Sequence, residues 1–344
     1  MKNIFVMGAE QISIQEPLSE EWMENPISHD QPFTRAVSPD YRKYFKPLEA
    51  RRYGELIKRA IVTSETVLRN SGMDSVDAII TGTGMGCVQD TEDFLMSLCV
   101  DGEQMSKPSS FMHSTHNTIS SAIAIRTRSH GYNITYSHRG VSFDYSLFDA
   151  YLQIRQGAIR NALVGSHDEC TPSYFKIIEK TCYAGEAMKD TCGEASVSLT
   201  LSSDRDSGMC MISGMDILYR PTPKKVSAAL GEILEEVGIQ KRDIAGVITG
   251  INGNPTNDQY YSQYGETLFK GMTLLHYKHI FGECYSASGL GFYVAAKCLE
   301  RRFIPPFLVY RGPMATETPR YILLFNHSDG KTYSLILLSS TCGN

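Results

Sequence analysis

The sequence predicts an α/β fold in which two similar halves follow each other. Segments with the pattern of buried strands alternate along the whole chain with amphipathic helical segments, which is typical of this fold class. In addition, the stretch SGMDSVDAIITGTG at 71–84 is echoed by VGIQKRDIAGVITGING at 237–253. Each has a helix end with glycine, then an aspartate, a β-branched strand and the triplet Ile-Thr-Gly. The recurrence indicates a duplication.

The elements of the first half follow in chain order. MKNIFVMGAE is expected to form a strand that ends at Gly8, and its apolar part is too short for a signal peptide. A helix over 51–70 leads into the first copy of the repeated segment. Further on, NITYS predicts a strand, Arg139-Gly140 a tight turn, 141–155 an amphipathic helix and AIRNALVGS another strand. Such a strand-to-helix turn is where many enzymes hold a nucleophile, because the helix N-terminus stabilises an anion.

The second half repeats this order. A helix over 224–237 leads into the second copy, and KHIFGECYSASG forms a glycine-rich turn before a helix from about Ser288 to Arg301 and the strand PFLVY. Two matching pairs in the same order favour duplication, although two generic βαβ units remain an alternative because such units share their composition. We place the halves at 1–210 and 211–344.

A duplication would also determine where a site can form. Two halves related by a pseudo-twofold axis bring their strand-to-helix turns together in one crevice at the carboxyl ends of the strands. The turns at Gly140, Gly253 and Gly282 are therefore expected to converge. The site would then contain residues from both halves.

Composition excludes several other classes of protein. The formal net charge of −5 gives no general attraction to nucleic acid. No apolar run approaches the roughly 20 residues that a membrane span needs. The nine cysteines form no CxxC pair, which disfavours zinc ribbons and redox pairs, and an odd number without a secretion signal suits reduced thiols in a cytoplasm. We therefore expect a cytoplasmic protein without a metal or another cofactor.

Eight segments in sequence order resemble the β-ketoacyl-ACP synthases (ketosynthases) of fatty acid and polyketide assembly. They include MKNIFVMGAEQIS, IITGTGMGCVQDTEDFL, FMHSTHNTISSAIAIRTRSHGYNITYS, ALVGSHDE, EASVSLTLS, NGNPTND and GKTYSLILL. The similarity extends over nearly the whole chain. It implies a thiolase-like, five-layered α-β-α-β-α fold with two pseudo-twofold-related halves.

The same resemblance implies that the reactive side chains of the family are missing. Active members carry a cysteine at the turn before the long helix, where this chain has Gly140. They carry a first histidine ahead of a Pro-x-Asn-Asp motif; Asn257 and Asp258 are retained here, but the histidine position is Gly250. A second histidine belongs to a Lys-x-x-x-Gly-His turn, and its position is Glu283.

Two further family positions are recognisable. Lys278 and Gly282 of the second histidine's turn are retained. The phenylalanine of the family's Gly-Phe-Gly-Gly-Thr-Asn segment corresponds to Asp329, with Gly330 and Thr332 retained around it.

These substitutions argue against condensing chemistry. Gly140 has no side chain to acylate, and Gly250 offers no hydrogen-bond donor to an enolate oxygen. A carboxylate at Glu283 would repel both a malonyl carboxylate and an enolate, by on the order of 4 kcal/mol at about 4 Å and an effective dielectric of about 20. We therefore expect no ketosynthase activity from the chain by itself.

Two other residues, Cys284 and Ser142, could supply a nucleophile. Cys284 lies beside Glu283, but a neighbouring carboxylate raises the pKa of a thiol, and the residue is more simply explained as a small buried hydrophobic side chain. Ser142 with His138 would form a nucleophile and base without a third group to orient them.

A pair of histidines and a pair of cysteines are two further candidate sites. His113 and His116 could be a ligand pair, but a dimer-contact or loop segment explains them better. Cys182 and Cys192 are interpreted as adventitious.

The resemblance also implies partners. Ketosynthases of this fold are dimers, and the segment from about Ser109 to Thr135 would lie near the dimer interface. In type II polyketide systems an inactive paralogue, the chain-length factor, pairs with a catalytic ketosynthase subunit. The chain looks like a member of that functional type, possibly from aryl-polyene or flexirubin assembly, although polyketide chain-length factors commonly carry glutamine where Gly140 stands.

A basic segment suggests a second partner. Residues 42–59, RKYFKPLEARRYGELIKR, contain seven cations against two glutamates. The cations are Arg42, Lys43, Lys46, Arg51, Arg52, Lys58 and Arg59. Acyl carrier proteins are strongly acidic, and complementary charge speeds encounter, so we expect docking there. An ordinary solvated helix is the alternative.

Three hypotheses follow from the sequence. The first is a non-catalytic ketosynthase-like subunit that pairs with an active one. The second is an active β-ketoacyl-ACP synthase or acyltransferase with a relocated nucleophile. The third is a homodimeric acyl-binding or regulatory protein.

Overall fold

A computed structural model describes residues 2–101, 108–181, 190–204, 208–313 and 317–341. In these residues, eleven strands form one mixed sheet. The strands are β1 Phe5–Ile12, β2 Ala78–Gly82, β3 Tyr132–Tyr136, β4 Asn161–Asp168, β5 Ala195–Ser202, β6 Cys210–Tyr219, β7 Ile244–Thr249, β8 Leu274–His276, β9 Val309–Arg311, β10 Tyr321–Ser328 and β11 Thr332–Ser339.

Helices alternate with the strands along the chain, as predicted. They are α1 Pro47–Ala50, α2 Glu55–Asn70, α3 Val88–Met96, α4 Pro108–His113, α5 Thr118–Thr127, α6 Ser142–Gln156, α7 Pro172–Thr181, α8 Pro223–Val237, α9 Pro255–Glu266, α10 Lys278–Phe281 and α11 Ala287–Arg301. Capping side chains determine where some of these helices begin. Thr222 and Asn254 accept backbone hydrogen bonds at the starts of α8 and α9, each followed by a proline in the first turn.

The strand order confirms the duplicated architecture. The first half of the sheet has the order β3-β2-β4-β5-β1, and the second continues as β6-β11-β10-β7-β8, with β9 added at its edge. Strands β2 and β7, which carry the repeated Ile-Thr-Gly or Ile-Thr segment, occupy equivalent positions. Each is parallel to both of its neighbours, as strands joined by helical crossovers are.

Three apolar clusters separate five layers. Helices α6 and α11 pack against each other and against strands of both halves, and they form the central cluster with the inward faces of the sheet. Helices α2 and α5 cover the outer face of the first half, and α8 and α9 cover that of the second. This is the α-β-α-β-α arrangement expected from the sequence.

Some predicted boundaries were wrong. Strand β1 does not end at Gly8 but continues to Ile12, with a register shift between Val6 and Gly8 where it pairs with β5. The segment PFLVY begins as a single 3₁₀ turn at Pro306–Leu308, and only its end belongs to a strand. No helix of the described residues is long and apolar enough to cross a membrane.

Candidate functional site

A cavity of about 360 Å³ lies where turns of the two halves meet. Gly140 contributes to it from the first half, and Asn252, Asn254 and Glu283 contribute from the second. The predicted convergence of the turns at Gly140, Gly253 and Gly282 is therefore present in the structure, through these residues or their immediate neighbours. The site is made by both halves.

Gly140 lies in a 3₁₀ turn directly before α6. The residue of this turn in the left-handed region is Arg139, with φ 52°, and Gly140 itself does not have positive φ. A Cβ added at Gly140 would meet no atom within 4 Å. The turn thus has the space and the backbone conformation for a side chain but carries none.

At Gly250 the situation is the reverse. A Cβ there would lie 2.3 Å from the hydroxyl oxygen of Tyr261 and 3.1 Å from Nζ of Lys278. Tyr261 belongs to α9 and is fully buried. Its hydroxyl occupies the space that a side chain at residue 250 would need, so a histidine at this position would require rearrangement of α9.

A buried hydrogen-bond network connects this hydroxyl to the turn at Gly140. Tyr261 donates to Oδ1 of Asn326 at 3.0 Å, and Nδ2 of Asn326 donates to the Gly140 carbonyl at 3.2 Å and to Asp144 at 3.3 Å. Ser334 also donates to Asp144, at 2.5 Å. Burial raises the pKa of Asp144. The network connects the turn at Gly140, which carries no side chain, to the second half of the chain.

Glu283 is bound by two donors. Its Oε2 lies 2.6 Å from Nζ of Lys278 and accepts a hydrogen bond from Nδ2 of Asn252 at 2.5 Å. Only 7% of the Lys278 side chain and 19% of the Glu283 side chain are exposed. Glu283, the predicted equivalent of the family's second histidine, therefore belongs to a largely buried ion pair.

The retained Asn257 and Asp258 hold the loop that precedes α9. Asp258 accepts hydrogen bonds from the backbone N–H groups of Asn252 and Gly253 at 3.0 and 2.9 Å. Asn257 donates through Nδ2 to the Gly250 carbonyl at 3.1 Å. These two residues therefore hold the loop from Gly250 to Gly253 at the start of α9.

Two more carboxyl groups line the cavity, and the sequence reasoning missed both. Asp168 accepts hydrogen bonds from Thr83, Gly84, Met85 and Ser286, yet its burial raises its pKa to about 6. Burial likewise raises the pKa of Glu169 to about 7. The signal was the pair Asp-Glu at the carboxyl end of a buried strand in ALVGSHDE.

The alternative nucleophiles differ in exposure. Cys284 lines the cavity, but burial, followed by the charges of Asp168 and Glu283, raises the pKa of its thiol well above the ordinary value. Ser142 is fully buried, and its hydroxyl donates to the carbonyls of Arg139 and Thr83. The serine is therefore part of the turn's own structure.

His138 does not act on Ser142 as a base would. Its backbone N–H, not its ring, bonds the Ser142 hydroxyl, at 2.8 Å. The His138 ring lies against Tyr145, with centroids 4.6 Å apart.

The remaining histidine and cysteine predictions have mixed outcomes. His113 lies 3.7 Å from a carboxylate oxygen of Asp90, and no group of three metal-ligating side chains occurs in the described residues. Cys182 lies outside the described residues. Cys192 is buried at the cavity, with its sulfur 3.9 Å from that of Cys170.

A cavity histidine that the sequence reasoning missed is His327. Its Nδ1 accepts from the Gly330 N–H and its Nε2 lies 3.1 Å from the Asn257 carbonyl, so both nitrogens are used. Burial, then the charge of Lys278, lowers its pKa to about 4. Asp329, at the family's phenylalanine position, follows it in the β10–β11 turn and lines the cavity mouth with Arg139, 3.4 Å away.

The predicted basic face is smaller than expected. Arg42, Lys43, Lys46, Arg51 and Arg52 are exposed, as predicted. Arg59 is instead 2% exposed and lies 2.9 Å from Glu194, because α2 is covered on both sides. Lys58 is largely covered too and pairs with Glu55 at 2.5 Å. Including Arg59 and Lys58 in the docking surface was wrong.

Comparison with solved structures finds the same fold in proteins of low sequence identity. The ishigamide ketosynthase/chain length factor has a TM-score of 0.80 at 16% identity, with 98% of this chain and 99% of that chain covered. A β-ketoacyl synthase from Burkholderia phymatum has a TM-score of 0.77 at 15% identity, with coverage of 99% and 100%.

A third structure has a similar relationship to this chain. It is a type II PKS acyl-carrier protein in complex with its ketosynthase bound to the hexaketide, with a TM-score of 0.77, 15% identity and coverage of 98% and 99%. Comparison with curated protein sequences gives no match. A family model described as beta-ketoacyl synthase, N-terminal domain, matches residues 20–216, more than half of the chain. The chain therefore belongs to the β-ketoacyl synthase family.

Proposed function

We propose that this chain is a non-condensing, ketosynthase-like subunit that pairs with a catalytic ketosynthase and an acyl carrier protein in a type II fatty acid or polyketide system. An aryl-polyene or flexirubin-type pathway is the context we favour. The role resembles that of a chain-length factor, in which the silent subunit shapes the site of its partner.

One observation carries the proposal. By the resemblance, active members hold a cysteine and two histidines at three positions. Here the first is Gly140, the second is Gly250, whose side-chain space is filled by the hydroxyl of Tyr261, and the third is Glu283, which pairs with Lys278. None of these groups can accept an acyl chain as a thiolate or donate a hydrogen bond from imidazole to an enolate. A negatively charged Glu283 would also oppose the charge that develops during decarboxylation.

The surface around β3 supports pairing with a second ketosynthase-like chain. Strand β3 is at the edge of the sheet, with β2 on its one paired side in the described residues. Large apolar side chains are exposed on α5, which packs against β3, and on α3, α4 and the turn after α3. They are Leu95, Met96, Val100, Phe111, Met112 and Ile125. An unpaired edge flanked by apolar side chains is typical of an interface.

The exposed part of the basic segment supports docking of an acidic carrier protein. Its five cations lie on both sides of Leu48 in the sequence, and Leu48 is 74% exposed. We expect Arg51→Glu combined with Arg52→Glu to weaken carrier binding about tenfold at low salt, with a smaller effect at high salt. Lys224→Glu combined with Lys225→Glu makes the same double charge reversal at exposed positions of α8 and serves as the control. Equal effects of the two changes would contradict docking at this surface.

The test of the non-condensing role is acyl transfer followed by intact-mass measurement. Wild-type protein is incubated with acyl and malonyl carrier protein, alone and with a catalytic ketosynthase, and we expect no covalent adduct on this chain. Gly140→Cys is the positive control, since the added side chain fits and would lie at the start of α6, where the helix N-terminus lowers the pKa of a thiol.

Peptide mapping makes that control specific. Trypsin releases residues 140–155, which contain no cysteine in the wild type, so alkylation or acylation of this peptide reports the new thiol alone. Gly231→Cys, at an exposed and open position of α8, supplies an ordinary surface thiol for comparison. We expect residue 140 to react faster than residue 231 at pH 7.

The second candidate, an active enzyme with a relocated nucleophile, is favoured by one observation, the exposure of Cys284 to the cavity. An acyl adduct on the wild-type tryptic peptide 279–297, which contains Cys284 as its one cysteine, would support that candidate and overturn the first.

A further inference from the structure

Two thiols in the cavity wall are close enough to form a bond. Cys170 and Cys192 are both buried, both line the cavity, and their sulfur atoms are 3.9 Å apart. The nine cysteines suggested no such pair from sequence, because these two are 22 residues apart and have no CxxC spacing. We propose that Cys170 and Cys192 form a reversible disulfide that joins the two ends of the segment carrying α7.

The positions of the two thiols suit this bond. Cys170 lies two residues after the end of β4 and Cys192 lies three residues before the start of β5, so the antiparallel pairing of these strands brings the two chain segments together. The sulfur atoms need to approach by roughly 2 Å to reach the S–S bond length.

The surroundings of Cys192 hold it in place for the reaction. Its backbone N–H donates to the Pro32 carbonyl, and its carbonyl accepts from Thr34, each within 2.9 Å. On the other side, the N–H of Gly193 donates to the Glu283 carbonyl. Cys192 is thus fixed between two chain segments, while Cys170 lies two residues before the start of α7.

The oxidant we name is a peroxide that enters through the cavity. The thiolate of one cysteine attacks the peroxide O–O bond, forming a sulfenic acid and releasing hydroxide. The second thiol then displaces water from the sulfenic sulfur. In total, two thiols lose two protons and two electrons, and hydrogen peroxide becomes two waters. A thiol reductant reverses the change by exchange.

The bond would act on the cavity through α7. Tyr174 and Ile178 of this helix line the cavity, and Phe175 stacks on Phe33 with ring centroids 5.5 Å apart. A disulfide at the base of α7 would hold these side chains at the cavity. Oxidation would therefore change the access of ligands to the cavity.

The experiment is peptide mapping after treatment with hydrogen peroxide. Trypsin cuts after Arg160, Lys176, Lys189 and Arg205, so Cys170 and Cys192 fall in peptides 161–176 and 190–205, while Cys182 falls in 181–189. We expect a loss of about 2 Da per chain and a cross-linked pair 161–176/190–205 that dithiothreitol separates. Linkage of either peptide to 181–189, or no linkage, would overturn the proposal.

Matched variants distinguish the Cys170–Cys192 disulfide from oxidation of other thiols. Cys170→Ala and Cys192→Ala should each abolish the cross-link, and Cys99→Ser, which changes an exposed thiol, should leave it unchanged. The oxidised wild type should melt about 3–6 °C higher than the reduced form, because the bond restricts the unfolded chain. Neither alanine variant should show this shift on peroxide treatment, and a shift in both would contradict the assignment.

The rate should depend on pH in a defined direction. The contact with the Cys170 thiol and burial raise the pKa of Cys192 well above the ordinary value. Because the thiolate is the reacting form, cross-linking should accelerate by about tenfold per pH unit between pH 7 and pH 9. A rate that is constant over this range would contradict reaction through this buried pair.

Discussion

The hydroxyl of Tyr261 occupies the space beside Gly250, 2.3 Å from where a Cβ at that residue would lie. At the position where the resemblance predicts a missing histidine, this hydroxyl fills the space that a side chain would need, and it donates a hydrogen bond to Asn326.

This contact predicts non-additive stability changes. We expect Gly250→Ala to lower the free energy of unfolding by about 1–3 kcal/mol, because the new methyl group overpacks against the hydroxyl. Tyr261→Phe removes the hydroxyl and its hydrogen bond, at about 1 kcal/mol. The double variant should be more stable than the sum of the two losses implies, by about 1 kcal/mol in urea denaturation. Simple additivity would show that the two groups do not compete for this space.

The ion pair between Lys278 and Glu283 predicts a second coupling. Lys278→Met leaves a largely buried carboxylate with one described donor, Asn252, and should cost about 3 kcal/mol of unfolding free energy. Glu283→Gln leaves the ammonium group without its carboxylate. In the double variant Lys278→Met/Glu283→Gln neither charge remains, so part of the loss should be recovered. If the double variant is as unstable as the two single losses combined, the pair is not coupled.

Two arginines of the basic segment 42–59 should differ in how much their substitution lowers the free energy of unfolding. Arg59→Met breaks a buried pair with Glu194 and should lower the free energy of unfolding by about 3–5 kcal/mol. Arg52→Ala changes an exposed side chain and should stay within about 0.5 kcal/mol of the wild type. Urea denaturation of both variants measures the difference. Comparable stabilities would mean that Arg59 is not held as the structure places it.

The contrast between these arginines shows which features were readable from sequence. The convergence of the turns at Gly140, Gly253 and Gly282 followed from topology, because parallel strands bring their carboxyl ends to one place. The burial of Arg59 depends on Glu194, which directly precedes β5 and comes more than a hundred residues later in the chain. No local pattern of α2 reports that partner.

The position of the Tyr261 hydroxyl beside Gly250 could not be predicted from the sequence either. The resemblance identified a missing histidine, but a motif comparison gives no information about which side chain takes its volume. Tyr261 lies only eleven positions further along, in a helix whose orientation is set by its packing on Phe325 and His327. Cavity carboxylates such as Asp168 were missed for a similar reason, since their donors come from distant turns.

His327 should make stability depend on pH in a measurable way. Its pKa is lowered to about 4 in the folded protein by burial and then by Lys278, against about 6.5 in an unfolded chain. The unfolded state therefore binds more protons between these values, so stability is lost as the pH falls through this window. From pH 7 to pH 5 the wild type should lose about 2 kcal/mol more than His327→Gln.

The comparison isolates this residue because both proteins retain Asp168 and Glu169. These carboxyl groups have raised pKa values, at about 6 and about 7, and stabilise the fold as the pH falls, in the opposite sense to the histidine. Their contribution is common to both proteins and cancels in the difference. Parallel stability curves for wild type and His327→Gln between pH 5 and pH 7 would mean that His327 takes up its proton without unfolding, and that its burial against Tyr261 is not maintained in solution.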